Sequence, residues 1–256
     1  MKIATFNVNS LKARLPIVLD WLTAHQPDVL MLQEIKGLEI PEAEINAAGY
    51  QVQAVTQKTY NGVATLTKSP AVVIKTSILE GDEQARYLEV DYRGLRLINI
   101  YAPNGNPMGT EKFEYKLRWL ECLYDRLAEL RADRIPFLIA GDFNIIPEEI
   151  DAATPKSWEN DALFQPQSRA FYRSFINLGL YDAIRSINLS AGVYTFWDYQ
   201  AGAWPRNNGI RIDHILLSPA VADHFINASV DRAPRALEKP SDHTPVLVEL
   251  DDKIAL

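Results

Sequence analysis

The chain has 256 residues, 47% of them hydrophobic and 23% charged, with a formal net charge of -7. That length suits one large globular domain, expected here over residues 1–256. The acidic balance excludes indiscriminate coating of nucleic acid, so any DNA contact must rest on a local basic face.

The single cysteine, Cys122, excludes an internal disulfide and is expected to be a small buried hydrophobe. No apolar run approaches the roughly 20 residues that span a bilayer, and no basic segment leads into an apolar one at the start. A cytoplasmic protein without a membrane partner, acting as a monomer, is the expectation.

Lys2 to Phe6 reads as a strand and Leu15 to His25 as a helix, with Pro16 placed in its first turn and Val18, Trp21 and Leu22 inward. Val29 to Leu32 predicts a buried strand that ends at Glu34. Tyr50 to Ala54, Gly62 to Thr67, Val72 to Ile74, Tyr87 to Val90 and Leu95 to Tyr101 read as strands too closely spaced for crossover helices, hence antiparallel. Phe113, Leu117, Leu120, Tyr124, Leu127 and Leu130 mark a helix over Lys112 to Ala132. A strand at Phe137 to Ala140 leads to Asp142. Ser168 to Leu178 reads as a helix, and Ile212 to Leu217 and Pro245 to Leu250 as strands.

The pattern echoes itself. Helix, linker, apolar strand and acidic tip run from Leu15 to Glu34 and again from Lys112 to Asp142. Asn61-Gly62-Val63 and Asn208-Gly209-Ile210 each precede a strand ending in Ser-Pro-Ala-Val, at Ser69 and Ser218. Chance repeats of this size occur. A genuine repeat implies two α/β halves about a pseudo-two-fold, with the site in the seam.

Polar residues at the ends of separate strands converge on one edge of a sheet, where hard oxygen ligands hold Mg²⁺ or Mn²⁺ against a phosphate. The segments Ile3 to Asn9, Leu32-Gln33-Glu34-Ile35-Lys36, Tyr60 to Ala64, Tyr101 to Gly105, Gly141-Asp142-Phe143-Asn144, Arg211-Ile212-Asp213 and Ser241-Asp242-His243 resemble the exonuclease III family of AP endonucleases almost end to end. The resemblance implies an α/β fold: a four-layered sandwich, DNase I-like, of two mixed β-sheets face to face with helices outside. It also implies a Mg²⁺-dependent hydrolase, with Mn²⁺ as substitute, acting on double-stranded DNA with abasic sites or recessed 3′ ends.

Glu34 is the first candidate metal ligand, since a carboxylate after a buried strand reaches a partly hydrated cation. Asp142 is expected to orient or deprotonate the attacking water and to share the metal, with Asn144 on the same side to hydrogen-bond phosphate or nucleophile, and with Asn144 and His243 counted in the candidate metal set. Asn7 and Asn9 alternate with Phe6 and Val8, which places both amides toward the site: Asn7 positioning Glu34 or the metal, Asn9 as an added ligand. His243 is either general base or imidazolium on a phosphate oxygen, with Asp213 as its orienting partner. Tyr101 is expected to hydrogen-bond the phosphate or protonate the leaving oxygen, and Asp242 to support the metal shell. His25, His214 and His224 read as helix-end, packed and surface residues.

For DNA, Lys36, Lys58, Asn104, Arg206 and Arg211 are the candidate contacts. Trp204, in the aromatic loop Tyr194 to Trp204, is the candidate for stacking on a sugar or displaced base. Lys112 and Lys116 read as surface charge on an exposed helix face. Ile35 stands where many relatives have Thr, and Ile210 where some have an aromatic or Leu lining the damaged-nucleotide pocket. With the segment Trp158 to Arg169, these leave the balance between abasic incision and 3′ to 5′ exonuclease open. Two other readings remain: a phosphomonoesterase of the same superfamily acting on a small or lipid-linked phosphate, and a catalytically silent DNA-binding module.

Overall fold

Strands apolar on both faces must be covered on both faces. The computed structural model describes residues 1–251 of the chain; the last five residues of the expected domain lie outside this range. The chain runs β1 (Lys2–Asn7), α1 (Leu11–His25), β2 (Val29–Gln33), α2 (Glu42–Ala47), β3 (Gln51–Val55) and β4 (Val63–Thr67). It continues through β5 (Val72–Lys75), β6 (Tyr87–Tyr92), β7 (Leu95–Tyr101), α3 (Glu111–Ala132) and β8 (Phe137–Asp142). Last come α4 (Pro166–Asn177), β9 (Tyr181–Asp182), β10 (Asp213–Leu217), α5 (Pro219–Ala222), β11 (Phe225–Val230) and β12 (Val246–Leu250).

The strands form two mixed six-stranded sheets, ordered β11-β12-β1-β2-β4-β3 and β5-β6-β7-β8-β10-β9. Side chains alternate between two apolar layers. Ile3, Val29, Met31, Leu138 and Ala140 meet in one cluster between the sheets. Ala4, Phe6, Leu30 and Leu32 point the other way onto Val18, Trp21 and Leu22 of α1. Phe137 and Ile139 likewise face Leu120, Leu123 and Leu127 of α3 and Phe175 of α4. Helix, sheet, sheet, helix is the resulting four-layered DNase I-like stack.

The two sheets match strand for strand. β1 and β2 are parallel neighbours joined through α1, as β7 and β8 are through α3. β4 pairs antiparallel with β2, and β10 with β8. The repeated Asn-Gly and Ser-Pro-Ala-Val segments flank these two equivalent strands, which places the sequence echo at corresponding points of the two sheets.

Several elements differ from the expectation. α1 begins one turn earlier, where Ser10 accepts a bond from the Ala13 amide, so Pro16 falls in the second turn. Both Lys12 and Pro16 are exposed there, and water can serve the carbonyl that Pro16 leaves unbonded. The closely spaced middle strands are antiparallel within each group but divide between sheets: β3 and β4 join the first, β5 to β7 the second. α2 and the edge strand β11, with its exposed Ile226, carry too weak a periodicity to be read. Cys122 is half-buried at the side of α3, not enclosed.

Candidate active site

Register delivers the polar tips. Asn7 ends β1 opposite Gln33, so Glu34 emerges beside it. Asp142 ends β8 opposite both Tyr101 of β7 and Asp213 of β10. His243 stands three residues before β12, the neighbour of β1. Glu34 (φ 51°) and Asn144 (φ 50°) hold left-handed backbone conformations that turn the chain out of the strand line. This conformation is strained for a glutamate, whereas asparagine adopts it readily. Gly141, at φ 145°, lies so close to β7 that a Cβ would sit 2.0 Å from the Ile100 carbonyl oxygen.

The tips touch across the seam between the sheets. Asn7 Nδ2 donates to Glu34 Oε1 (2.9 Å) and to Asp142 Oδ2 (3.0 Å). His243 Nδ1 is 2.8 Å from Asp213 Oδ2, and its Nε2 is 3.8 Å from Asp142 Oδ2. The Asn144 amide N–H donates to Asp142 Oδ1 (2.9 Å). Burial alone would lower the His243 pKa, but the charge and hydrogen bond of Asp213, with Asp142 and Asp242, raise it to about 10. These carboxylates favour the imidazolium form of the ring. Burial pushes the Asp142 carboxyl up; the His243 cation opposes this and the Asp213 and Glu34 charges add to it. Glu34 moves the other way: burial would raise it, but hydrogen bonds from Lys36 and Asn7, with the charges of Lys36 and His243, hold it below the usual carboxylate range. Tyr101 is raised far above its ordinary value by burial and by the Glu34 and Asp142 charges, so its phenol keeps its proton.

A cleft of about 150 Å³ lies over this cluster, lined by Glu34, Tyr101, Asp142, Trp158, Phe196 and His243 among others. The Endonuclease/Exonuclease/phosphatase family matches residues 4–243. The chain belongs to that family, in its exonuclease III-like branch. Exodeoxyribonuclease III of Haemophilus influenzae is 34% identical to it over 97% of this chain and 99% of the relative. An AP endonuclease structure from Archaeoglobus fulgidus superposes with a TM-score of 0.94 at 38% identity, covering 98% of this chain and 99% of the other. A 3′-5′ exonuclease from Neisseria meningitidis gives the same TM-score and identity, covering 98% and 100%.

Glu34, Asp142 and His243 of this exonuclease III-like chain offer donor atoms all within 4.8 Å of one another. The two carboxylates suit a hard divalent cation; the imidazolium does not ligate while it holds its proton. The donor set thus fits a metal on Glu34 and Asp142, and the Lys36 ammonium, 2.8 Å from Glu34 Oε2, balances the charge beside it. Asn9 is engaged on this rim, its Oδ1 accepting from Lys36 (2.5 Å) and its Nδ2 donating to Asp242 Oδ1 (3.1 Å). Asn144 is anchored to the chain leaving β7: its Nδ2 donates to the Ala102 carbonyl and its Oδ1 accepts from Asn104.

Two of the expected DNA contacts are corrected. Arg211 is only 1% exposed, with Nε 2.7 Å from Asp151 Oδ1 and Nη1 2.8 Å from Asp182 Oδ2. Just before β10, its guanidinium is spent on buried carboxylates and does not face a DNA groove. Trp204 is half-buried against Trp197, with the guanidinium groups of Arg232 and Arg235 5.0 and 5.4 Å from its ring centroid, so its faces already have partners. Lys58 and Arg206 are exposed, and Arg206 folds back on the Gly202 carbonyl of its own loop. Lys112 is exposed as expected, and His25, near Asp231, stacks on Trp21. His214 is buried, while His224 is half-buried.

Lys116 is the largest departure. It is fully buried, and Nζ donates to the carbonyls of Asn104 (3.1 Å), Asn144 (2.6 Å) and Ala162 (3.5 Å). One ammonium thereby ties three segments that border the cleft. Burial lowers its pKa to about 7, against the pull of the Asp142 and Asp161 charges. No periodicity separates such a lysine from a surface one. Arg86, which faces the Tyr101 ring and lines a polar arm of the cleft with Lys36, Gln57 and Tyr60, also escaped the sequence reading.

Proposed function

We propose that this chain is a DNA-repair phosphodiesterase of the exonuclease III type, cleaving 5′ to abasic sites and/or removing nucleotides and blocking groups from 3′ ends of duplex DNA, with Mg²⁺ or Mn²⁺. The observation that carries this reading is the contact of four acid–base groups across one seam: Asp142, His243, Asp213 and Glu34. The activities named for the H. influenzae, A. fulgidus and N. meningitidis relatives support it.

Hydrolysis needs an activated water, neutralised phosphoryl oxygens and a proton for the departing alkoxide. Asp142, a carboxylate whose basicity is raised by burial, accepts the proton of the water as its oxygen bonds to phosphorus. The His243 imidazolium, held by Asp213, hydrogen-bonds a non-bridging phosphate oxygen. The P–O3′ bond breaks, and the neutral Tyr101 phenol supplies a proton to the leaving oxygen. A divalent cation held by Glu34 and Asp142, with Asp242 at the rim, would neutralise charge on the phosphate when bound. Lys36, Arg86 and the Tyr60 ring, along the polar arm, suit a phosphodiester strand entering the cleft.

The test is purified protein on three duplexes, one with an internal abasic site, one with a recessed 3′ end and one with a 3′-phosphate, each with and without Mg²⁺. Metal-dependent cleavage of the first or trimming of the second is the expected result. Preference for a small phosphomonoester over all three would replace this reading with the phosphatase one.

A further inference from the structure

Three strands that end in the site carry a polar residue one step deeper, in the layer between the sheets. Side chains on one face of a strand recur every second residue. Thr5 therefore follows Ile3 on β1, Gln33 follows Met31 on β2 and Asn99 follows Leu97 on β7, all turned toward the apolar cluster between the sheets. All three are fully buried. Asn7 and Tyr101 are the next residues on that face of β1 and β7, and Glu34 follows Gln33 directly.

Gln33 Nε2 donates across the layer to Asn99 Oδ1 (2.7 Å), from the first sheet to the second, and to Thr5 Oγ1 (2.9 Å) within the first. Asn99 Nδ2 donates back to the carbonyls of Ala64 (2.9 Å) and Leu32 (3.2 Å), on the paired strands β4 and β2. Stability is a weak reason for such a pair, because a buried amide loses its hydration and the net gain from one buried hydrogen bond is small. Gln33 Oε1 is moreover buried with no hydrogen-bond partner among the described residues. What the amides have and the surrounding Val, Leu and Met side chains lack is direction. Apolar contact is indifferent to a small slide of one sheet over the other, whereas a hydrogen bond weakens steeply as it bends.

We propose that Gln33 and Asn99 are positioning residues: an amide lock that fixes the alignment of the two sheets and so holds Asn7 and Glu34 opposite Asp142 and Tyr101. Neither touches the substrate; each acts through the reactive tip beside it. The proposal rests on the phosphodiesterase reading above and extends it into the core.

The test replaces the pair by apolar side chains of similar size, Gln33→Met with Asn99→Leu. Unfolding, kcat and KM on the abasic duplex in Mg²⁺, and the crystal structure of the variant are then compared with wild type. The variant should fold and its KM should hardly change, while kcat should fall about tenfold or more, since a misplacement of about 1 Å costs on the order of 10²-fold. The contact of Asn7 Nδ2 with Asp142 Oδ2, 3.0 Å here, should open in that crystal structure. Thr5→Val removes a bond that stays within the first sheet and should leave kcat close to wild type. If the double variant does not fold, Asn99→Ala, which removes the lock without adding bulk, should show the same fall in kcat. Wild-type kcat or an intact Asn7–Asp142 contact in the folded variant overturns the lock, and so does a loss in Thr5→Val as large as that in the pair. A wild-type protein inactive on every duplex overturns the phosphodiesterase reading instead, and the crystal structures still decide the lock.

Discussion

His243 and Asp213 come from different sheets, and their side chains meet at 2.8 Å, Nδ1 to Oδ2, with both groups buried. Against the cost of burial, Asp213, with Asp142 and Asp242, raises the His243 pKa from its ordinary 6.5 to about 10. A raised histidine pKa contributes stability that is full below about 6.5 and is lost as pH rises through about 10. If the imidazolium is the active form, activity falls over that same alkaline limb. Asp213→Asn should move the limb to lower pH, and His243→Ala should depress the rate at every pH. Profiles of kcat/KM between pH 6 and 10 give the answer; an unmoved limb in Asp213→Asn would show the pair to be uncoupled in catalysis.

Glu34→Ala and Asp142→Asn should each nearly abolish cleavage. Loss of a single well-placed transition-state group costs roughly 10² to 10³ in rate. Thermal unfolding should stay close to wild type, because these groups face the cleft. EDTA should stop the reaction, and Mg²⁺ or Mn²⁺ should restore it. Substantial activity of either variant in Mg²⁺ would remove it from the catalytic set.

Lys116→Met keeps the aliphatic stem and deletes the ammonium. The carbonyls of Asn104 and Asn144 lose this donor, while that of Ala162 keeps the Ser168 hydroxyl; a buried group left unpaired costs roughly 1–3 kcal/mol. Urea unfolding should show a loss on that scale. The more telling readout is kcat, which should fall further than KM rises as the Asn144 segment loosens beside Asp142. A variant as stable and active as wild type would show that water takes over these carbonyls.

Affinity for an abasic duplex, measured with Ca²⁺ in place of Mg²⁺ to block turnover, should drop by roughly 0.9 log unit per log unit of salt for each phosphate neutralised. Lys36→Ala should reduce that slope by about one. Arg211→Ala should leave it unchanged and instead destabilise the fold, since Asp151 and Asp182 would remain buried without their cation; breaking a buried pair costs roughly 3–5 kcal/mol. A flat salt dependence would point to a small-phosphate substrate.

The polar tips were legible because each follows or precedes a buried strand, and strand ends are where a chain leaves the sheet. Asn7, Glu34, Asp142 and His243 meet as that logic requires. The repeat of helix, strand and tip corresponds to matching places in the two sheets. Basic residues were harder, because a sequence shows charge without depth. Lys116 and Arg211 look like any surface cation, yet one is enclosed by carbonyls and the other by carboxylates. Trp204 stands in an aromatic stretch that suggests stacking, but its partners Arg232 and Arg235 lie about thirty residues away in the chain. Trp158 and Phe196 lie in two segments singled out from the sequence, Trp158 to Arg169 and Tyr194 to Trp204, and both rings line the cleft.

The meeting of the two sheets has a consequence for the reactive groups themselves. Asn7, Glu34 and His243 come from the first sheet and its strand ends, Tyr101, Asp142 and Asp213 from the second, and His243 is placed by the pairing of β12 with β1. Neither half owns a complete set of reactive groups. The assembled set of reactive groups therefore exists only where the two sheets are docked against each other.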